Sequence, residues 1–227
     1  MEEVCNVQEP LAPQANSHTP QARTRTNVNR RRILDAAMES FAADPDASMD
    51  DVARAAGVVR RTVYAHFPNR DALVDGIAAD AAAELAAAVD LAEPDDPDVA
   101  LAVGALRTWP VGDRYRLLLS FARKEVGEQC IADLVAPLRT RTLDLVERGR
   151  AGGIFSDYLP SVVLVGMMEG LTMATLEQAN LGLVRDSGES IALGVLVLAG
   201  VSPERAVRVV EQAHRWLHEH APEQARG

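Results

Sequence analysis

Residues 50–73 read DDVARAAGVVRRTVYAHFPNRDAL, and their pattern decides the fold. Just upstream, Ser48-Met49-Asp50-Asp51 places a hydroxyl where it can accept from the backbone donor three residues on, with carboxylates near the positive end of a helix. A helix is therefore expected to start there, burying Met49, Val52, Ala53 and Ala56 and ending after two turns at Gly57, a residue suited to a sharp, left-handed turn. A third short helix is expected from Val59 to about His66, closed by Pro68. Before both, Ile33, Ala37 and Phe41 recur at four-residue spacing beside Leu34, while Arg30, Arg31, Arg32 and Glu39 fill polar positions. That predicts an amphipathic helix from Val28 to the Asp44-Pro45 break. Three helices in about 40 residues, with a tight glycine turn between the second and third, are the organisation of a helix-turn-helix.

A recognition helix must bury one stripe and offer the rest to a DNA groove. Val63 and Phe67, four residues apart, supply the stripe and leave Arg60, Arg61, Thr62, Tyr64 and His66 on other faces. Arg60 and Arg61 can grip guanine O6 and N7 bidentately, discriminating by about 1–3 kcal/mol per good pair, and are the expected base readers. Tyr64, His66 and Arg70 read as phosphate holders, because hydroxyl, imidazole and guanidinium groups all donate to phosphate oxygens. Ser48, at a helix start, offers donors for a further phosphate.

The same residues resemble the helix-turn-helix of the tetracycline-repressor (TetR) family, in which a turn glycine precedes a short recognition helix ending in a Tyr-x-His-Phe element. Gly57 and Val58 match the turn, Thr62 and Val63 the helix centre, and Tyr64, His66 and Phe67 the signature; Arg70 replaces the usual lysine. The Gly152-Gly153-Ile154-Phe155 turn before a long apolar helix is similar too. The resemblance implies a TetR-like, all-α fold: an N-terminal three-helix DNA-binding domain followed by a larger helical ligand-binding and dimerisation domain. It also implies a homodimer that binds double-stranded operator DNA, most simply as a repressor, and holds a small-molecule effector between helices of the larger domain.

Composition agrees with an all-α protein. Of 227 residues 48% are hydrophobic, enough for a sizeable core, while only 4% are aromatic and alanine recurs in blocks such as Ala81–Ala83 and Ala86–Ala88. The formal net charge of −10 argues against nucleic acid as a partner until it is divided along the chain. Residues 20–70 hold nine arginines against six carboxylates, a net +3; residues after 70 carry 14 basic and 24 acidic side chains, a net −10; the first 19 supply −3. A small basic module is joined to a larger acidic one, so only the first is expected to meet DNA.

Residues 1–27, with Pro10, Pro13 and Pro20 and no apolar period, are expected to be a disordered arm; 28–72 form the DNA-binding domain and 73–220 the larger helical one. Arg23 and Arg25 could carry the arm into a minor groove. Leu73, Ile77, Ala81, Leu85 and Val89 mark a helix from Asn69 to about Leu91, roughly 30 Å long and able to connect two bodies. Further helices are expected near 98–108, stopped at Trp109-Pro110; 113–126; 128–150, with a kink at Pro137; 160–181; 188–200; and 202–219. The stretch Leu159–Ala179 is apolar almost all round, and the last helix aligns Val207, Val210, Ala213 and Leu217. Paired with their symmetry mates, these two helices would make a four-helix bundle that sets recognition helices about 34–36 Å apart over a palindromic operator.

Trp109, Phe121, Phe155, Met168 and Thr172 are the candidate effector-binding residues: aromatics and methionine make adaptable apolar walls, and a hydroxyl can orient a ligand. With few polar anchors in view, the expected effector is largely apolar. Two cysteines, Cys5 and Cys130, give neither a disulfide framework nor a metal spacing, and no apolar stretch reaches spanning length, so a cytoplasmic protein without membrane contact or cofactor is expected. An enzyme is disfavoured because no phosphate-binding, nucleophile or zinc motif occurs, and Asp95-Asp96-Pro97-Asp98 lies in a proline-broken connection. His214 and His218, four apart, lack companions and read as a solvated face. A helical partner-binding protein with a vestigial DNA module is the remaining alternative.

Overall fold

The computed structural model describes the backbone of residues 20–125 and 128–220, with side chains placed over 28–116 and 132–220. Among these residues the chain forms α1 (Pro20–Ala43), α2 (Met49–Ala55), α3 (Arg60–His66), α4 (Arg70–Val89), α5 (Pro97–Glu125), α6 (Glu128–Ala151), α7 (Ser161–Asn180), α8 (Glu189–Leu198) and α9 (Pro203–Glu219), and no strand. No helix among them is long and apolar enough to cross a membrane. Caps set several of the breaks. The Asn69 side chain accepts from Ala72 N at 2.8 Å to open α4, and Ser202 accepts from Arg205 N at 3.4 Å to open α9, with Pro203 at its first position.

Two boundaries differ from expectation. Helix α1 begins at Pro20 instead of Val28, so the expected disordered arm is corrected over residues 20–27; the rest of it lies outside the described residues. Proline fits a first helical position and Gln21, Ala22 and Arg23 are good helix formers, so the turn can propagate backwards from the packed part of α1. The second difference is α5, which runs through Pro110 where a stop was expected. Both flanks of that proline are anchored: Trp109 is buried and its indole N–H donates to the Asp186 carbonyl at 3.1 Å, while buried Tyr115 donates to Asp80 at 2.9 Å. Packing on both sides overrides the roughly 3 kcal/mol that an interior proline costs. Helix α6 likewise runs from Glu128 to Ala151 with Pro137 inside it.

Two apolar cores result. The smaller gathers Ile33, Leu34 and Phe41 of α1, Val52 of α2, Val63 and Phe67 around α3, and Leu73 and Ile77 of α4, and it takes in Tyr115 from α5. Each such buried side chain contributes about 1.5–3 kcal/mol relative to exposure. The larger core gathers Val103 and Trp109 of α5, Val146 of α6, Leu164 and Val165 of α7, Leu196 of α8 and Ala206 and Val210 of α9. Gly188 opens α8 with φ +96° and lies against Trp109, where a β-carbon would come within 2.9 Å of the indole's own Cβ. Helix α5 touches α1 and α4 as well as α6, α7, α8 and α9, so one rod joins the two cores.

Candidate functional site

The smaller core exists to hold α3. The Ser48 backbone N–H donates to the Asp51 carboxylate at 2.9 Å and the Ser48 hydroxyl at 2.6 Å, while Asp51 N donates back to that hydroxyl at 3.3 Å, a reciprocal cap that starts α2. These hydrogen bonds hold the Asp51 pKa below the usual aspartate value. Gly57, at φ +64°, turns the chain, and the Arg32 guanidinium donates to the Ala56 carbonyl at 2.8 Å, placing a cation at the negative end of α2. Val63 is fully buried and Phe67 nearly so, as their spacing required.

The outward residues of α3 are placed as follows. Arg60, Arg61 and Tyr64 are exposed, whereas Thr62 and His66 are half-buried. Arg60 pairs with Asp50 at 2.8 Å and lies 5.2 Å over the Tyr64 ring, so both project from one patch. Arg61 carries no ion pair among the described residues. Arg70 sits apart from that patch: it donates to the Pro45 carbonyl and lies 4.6 Å over the Phe41 ring, clasping the α1–α2 loop to the start of α4. Ser48 is exposed, but its hydroxyl is spent on the cap.

Sequence reasoning did not resolve what the arginines of α1 do. Arg30 lies 5.4 Å over the Phe67 ring, Arg32 caps α2, and Arg31 reaches α4, pairing with Asp80 at 2.9 Å and Glu84 at 2.5 Å. Burial works against the Arg31 charge, but the hydrogen bond to Glu84 and the charges of Asp80 and Glu84 outweigh it and raise its pKa. From α5, Arg114 joins Asp35 at 2.5 Å and Glu84 at 3.3 Å, and Tyr115 donates to Asp80. Burial, then the Asp80 hydrogen bond, pushes the Tyr115 phenol above its ordinary range. The network stitches α1, α4 and α5 together at the seam between the two cores.

Beyond the seam lies a cavity of about 330 Å³, walled by the last turn of α4 (Ala88, Val89), the first half of α5 (Ala100 to Trp109), α6, α7 and α8. Trp109, Met168 and Thr172, three of the candidate effector-binding residues, line it. Phe155 does not: it is buried against Gly149, where a β-carbon would come within 2.1 Å of its ring, and serves the α6–α7 turn as core. The Phe121 side chain lies outside the described residues, as do those of Arg23 and Arg25. The wall is mostly apolar, yet it also carries Glu93, Arg107, Arg139, Arg141 and Glu169, which corrects the expectation of few polar anchors. These residues sit on four separate segments, the α4–α5 connection, α5, α6 and α7, and nothing in their spacing announced a common site. On α9, His214 stands 3.2 Å from Glu189.

Residues 33–77 match the family described as bacterial regulatory proteins, tetR family. Over 73 residues, 32% of this chain and 37% of the relative, the sequence is 44% identical to the HTH-type transcriptional repressor LfrR of Mycolicibacterium smegmatis. It is 58% identical over 40 residues, 17% of this chain and 30% of the relative, to TtgW of Pseudomonas putida, described as an uncharacterized HTH-type transcriptional regulator. The chain thus matches about a third of the length of each of these curated relatives. The solved structure of the TetR-like transcriptional regulator LfrR from Mycobacterium smegmatis in complex with proflavine is similar at a TM-score of 0.59 and 26% identity, covering 77% of this chain and 96% of that one.

Proposed function

We infer that this chain, which belongs to the tetR family of bacterial regulatory proteins, is a repressor that binds a palindromic operator as a homodimer and lets go when a small molecule enters the cavity. The observation that carries the reading is the shared scaffold. Helix α4 bears Leu73 and Ile77 in the core beneath α3 and Ala88 and Val89 in the cavity wall, and α5 bears Tyr115 in that core and Trp109 in the wall. An occupant that favours one tilt of these rods shifts the angle at which α3 is offered to DNA. Couplings between two sites are typically about 1–3 kcal/mol, a 5- to 150-fold change in affinity. The complex of LfrR with proflavine supports a small molecule as the occupant of this fold.

Dimerisation is assigned to α7. Val163, Gly166, Met167, Gly170 and Ala174 stand at i, i+3, i+4, i+7 and i+11 and are exposed in the single chain, an apolar stripe that a second copy can cover. Helix α9 contributes less than its sequence pattern implied, because Val210 and Ala213 turn into the protomer's own core and leave Val207 exposed. Two copies joined in this way would present two α3 helices to successive major grooves. Arg60 and Arg61 then read bases, and Tyr64 and His66 hold phosphates. Arg70 positions the loop behind them and adds charge.

The test is selection of bound fragments from random double-stranded DNA by the purified chain, followed by sedimentation of the complex. Palindromic fragments bound by paired subunits, with affinity falling steeply as salt rises, are expected. Single subunits that bind no fragment at low salt would overturn the reading.

A further inference from the structure

The charges around the cavity do not balance. Arg139 and Glu169 neutralise each other through two bonds of 2.8 and 2.7 Å. Glu93, in contrast, is shared by two guanidinium groups, Arg141 at 2.6 Å and Arg148 at 2.5 Å. Arg141 spends further donors on the Val89 and Leu91 carbonyls at the end of α4. Arg107 has no carboxylate within ion-pair distance among the described residues; its Nη1 donates to the Ala92 carbonyl at 2.6 Å, and its Cζ lies 5.0 Å from the centre of the Trp216 ring. With the Arg139–Glu169 pair set aside, the wall holds two cations, Arg107 and Arg141, against one carboxylate, Glu93, and most of the five guanidinium donors of Arg107 are unspent among the described residues.

No neutral donor on the wall competes. The hydroxyls of Thr108, Thr142 and Thr172 donate to carbonyls of their own helices at 2.8, 2.9 and 3.1 Å, and the Trp109 indole N–H is committed to Asp186. Burial, then the neighbouring Arg141 charge, lowers the Arg107 pKa, the direction expected for a cation short of counter-charge.

From this geometry we propose that the effector is an amphipathic anion: a carboxylate held by Arg107 beside Arg141, on an apolar body lying against Leu101, Trp109, Val165 and Met168. The inference rests on the reading of this cavity as the effector site. A carboxylate accepts two donors of a guanidinium side by side and supplies the missing negative charge. It does so in surroundings drier than bulk water, where such a pair is worth more.

Decanoate, decanol and decyltrimethylammonium share one alkyl chain and differ in the head group. Each is titrated calorimetrically into the full chain and then added to its complex with a selected DNA fragment. Decanoate is expected to bind at least about tenfold tighter than decanol, and the ammonium compound weakest. Arg107→Gln is expected to weaken decanoate about 10- to 100-fold while leaving decanol within about threefold, and Arg107→Lys to restore much of the difference. Decanoate binding no better than the ammonium compound, binding of none of the three, or an unchanged decanoate affinity in Arg107→Gln overturns the proposal. If Arg107→Gln does not fold, the order of the three ligands on the unaltered protein decides. Decanoate held through Arg107 without any loss of DNA supports the anion and overturns the release reading instead.

Discussion

Some arginines of the two bodies of this chain are used in opposite ways. In the smaller one Arg30, Arg31, Arg32 and Arg70 are each tied to a different element: the Phe67 ring, the carboxylates of α4, the end of α2 and the α1–α2 loop. In the larger one Arg107 faces a cavity with donors to spare. Under the proposed function, the difference follows from what each body has to do. A helix as short as α3, seven residues, cannot sustain itself, so every neighbour must hold it for its outer face to be offered in one geometry. A receiving chamber needs the reverse, groups whose bonding is completed by what enters.

The largest expected effect comes from Phe67, which fills the space beside Gly76, packs under Arg30 and is almost fully buried. Phe67→Ala is expected to cost about 3–5 kcal/mol. Both tryptophans, Trp109 and Trp216, belong to the larger body, so fluorescence follows that body while circular dichroism follows both. In urea the variant should lose helical signal well before its tryptophan emission changes. Coincident transitions would mean that the two cores unfold as one unit and that the division is only one of function. Next in size is Arg61, exposed and outside any ion pair among the described residues. Arg61→Ala should relax preference at one position of each half-site by about 1–3 kcal/mol and leave the melting temperature alone. Arg70→Ala, which opens the clasp on Pro45 and Phe41, should lower the melting temperature and weaken all DNA sequences alike.

How far these two bodies could be read from sequence differs for the same reason. The smaller one is built from local signals: the Ser48 cap, the Gly57 turn and the i, i+4 stripe of Val63 and Phe67 all act within a few residues, and the structure places them as read. What escaped is long-range even there. Arg30, Arg31 and Arg32 look alike in sequence, but successive helical residues point about 100° apart, and each meets a partner supplied by a distant part of the chain. Pro110 misled because local propensity stops a helix there, while Trp109 and Tyr115 on either side are fixed by Asp186 and Asp80. In the larger body, Trp109, Met168 and Thr172 reached the cavity wall on general grounds, whereas Phe155 went to the core. Arg107, Glu93 and Arg141 come together only when α5, the α4–α5 connection and α6 pack.

The seam between the two bodies belongs to both. Tyr115 belongs by sequence to the larger body but is buried in the smaller core, its hydroxyl on Asp80. Tyr115→Phe keeps the ring and removes that bond, an expected loss of about 1 kcal/mol. Because the folded-state pKa is raised, the bond's contribution is complete below the ordinary phenol value of about 10 and is lost as pH rises through the folded-state value. Urea midpoints measured between neutral and strongly alkaline pH should therefore fall less steeply in the variant. If the seam transmits the effector's presence, ligand-driven release of DNA should also shrink while ligand binding itself holds.

The smallest effect tests the cap that starts α2. Asp51 has a lowered folded-state pKa because the Ser48 hydroxyl and backbone N–H both donate to it, with Arg54 adding a third bond at 2.9 Å. For a carboxylate shifted in this direction, the stabilisation is whole above the ordinary aspartate value of about 4 and fades as pH falls through the lowered one. Ser48→Ala removes the hydroxyl but keeps the backbone donor, so the acid limb of stability should flatten without vanishing. The site is exposed and screened by solvent, which keeps the change small. If Ser48 serves only as a cap, the variant's affinity for DNA at neutral pH should fall no further than its lost stability explains. A larger fall, with a reduced salt dependence, would mean that the hydroxyl also reaches a phosphate, and would move Ser48 from the scaffold to the contact surface.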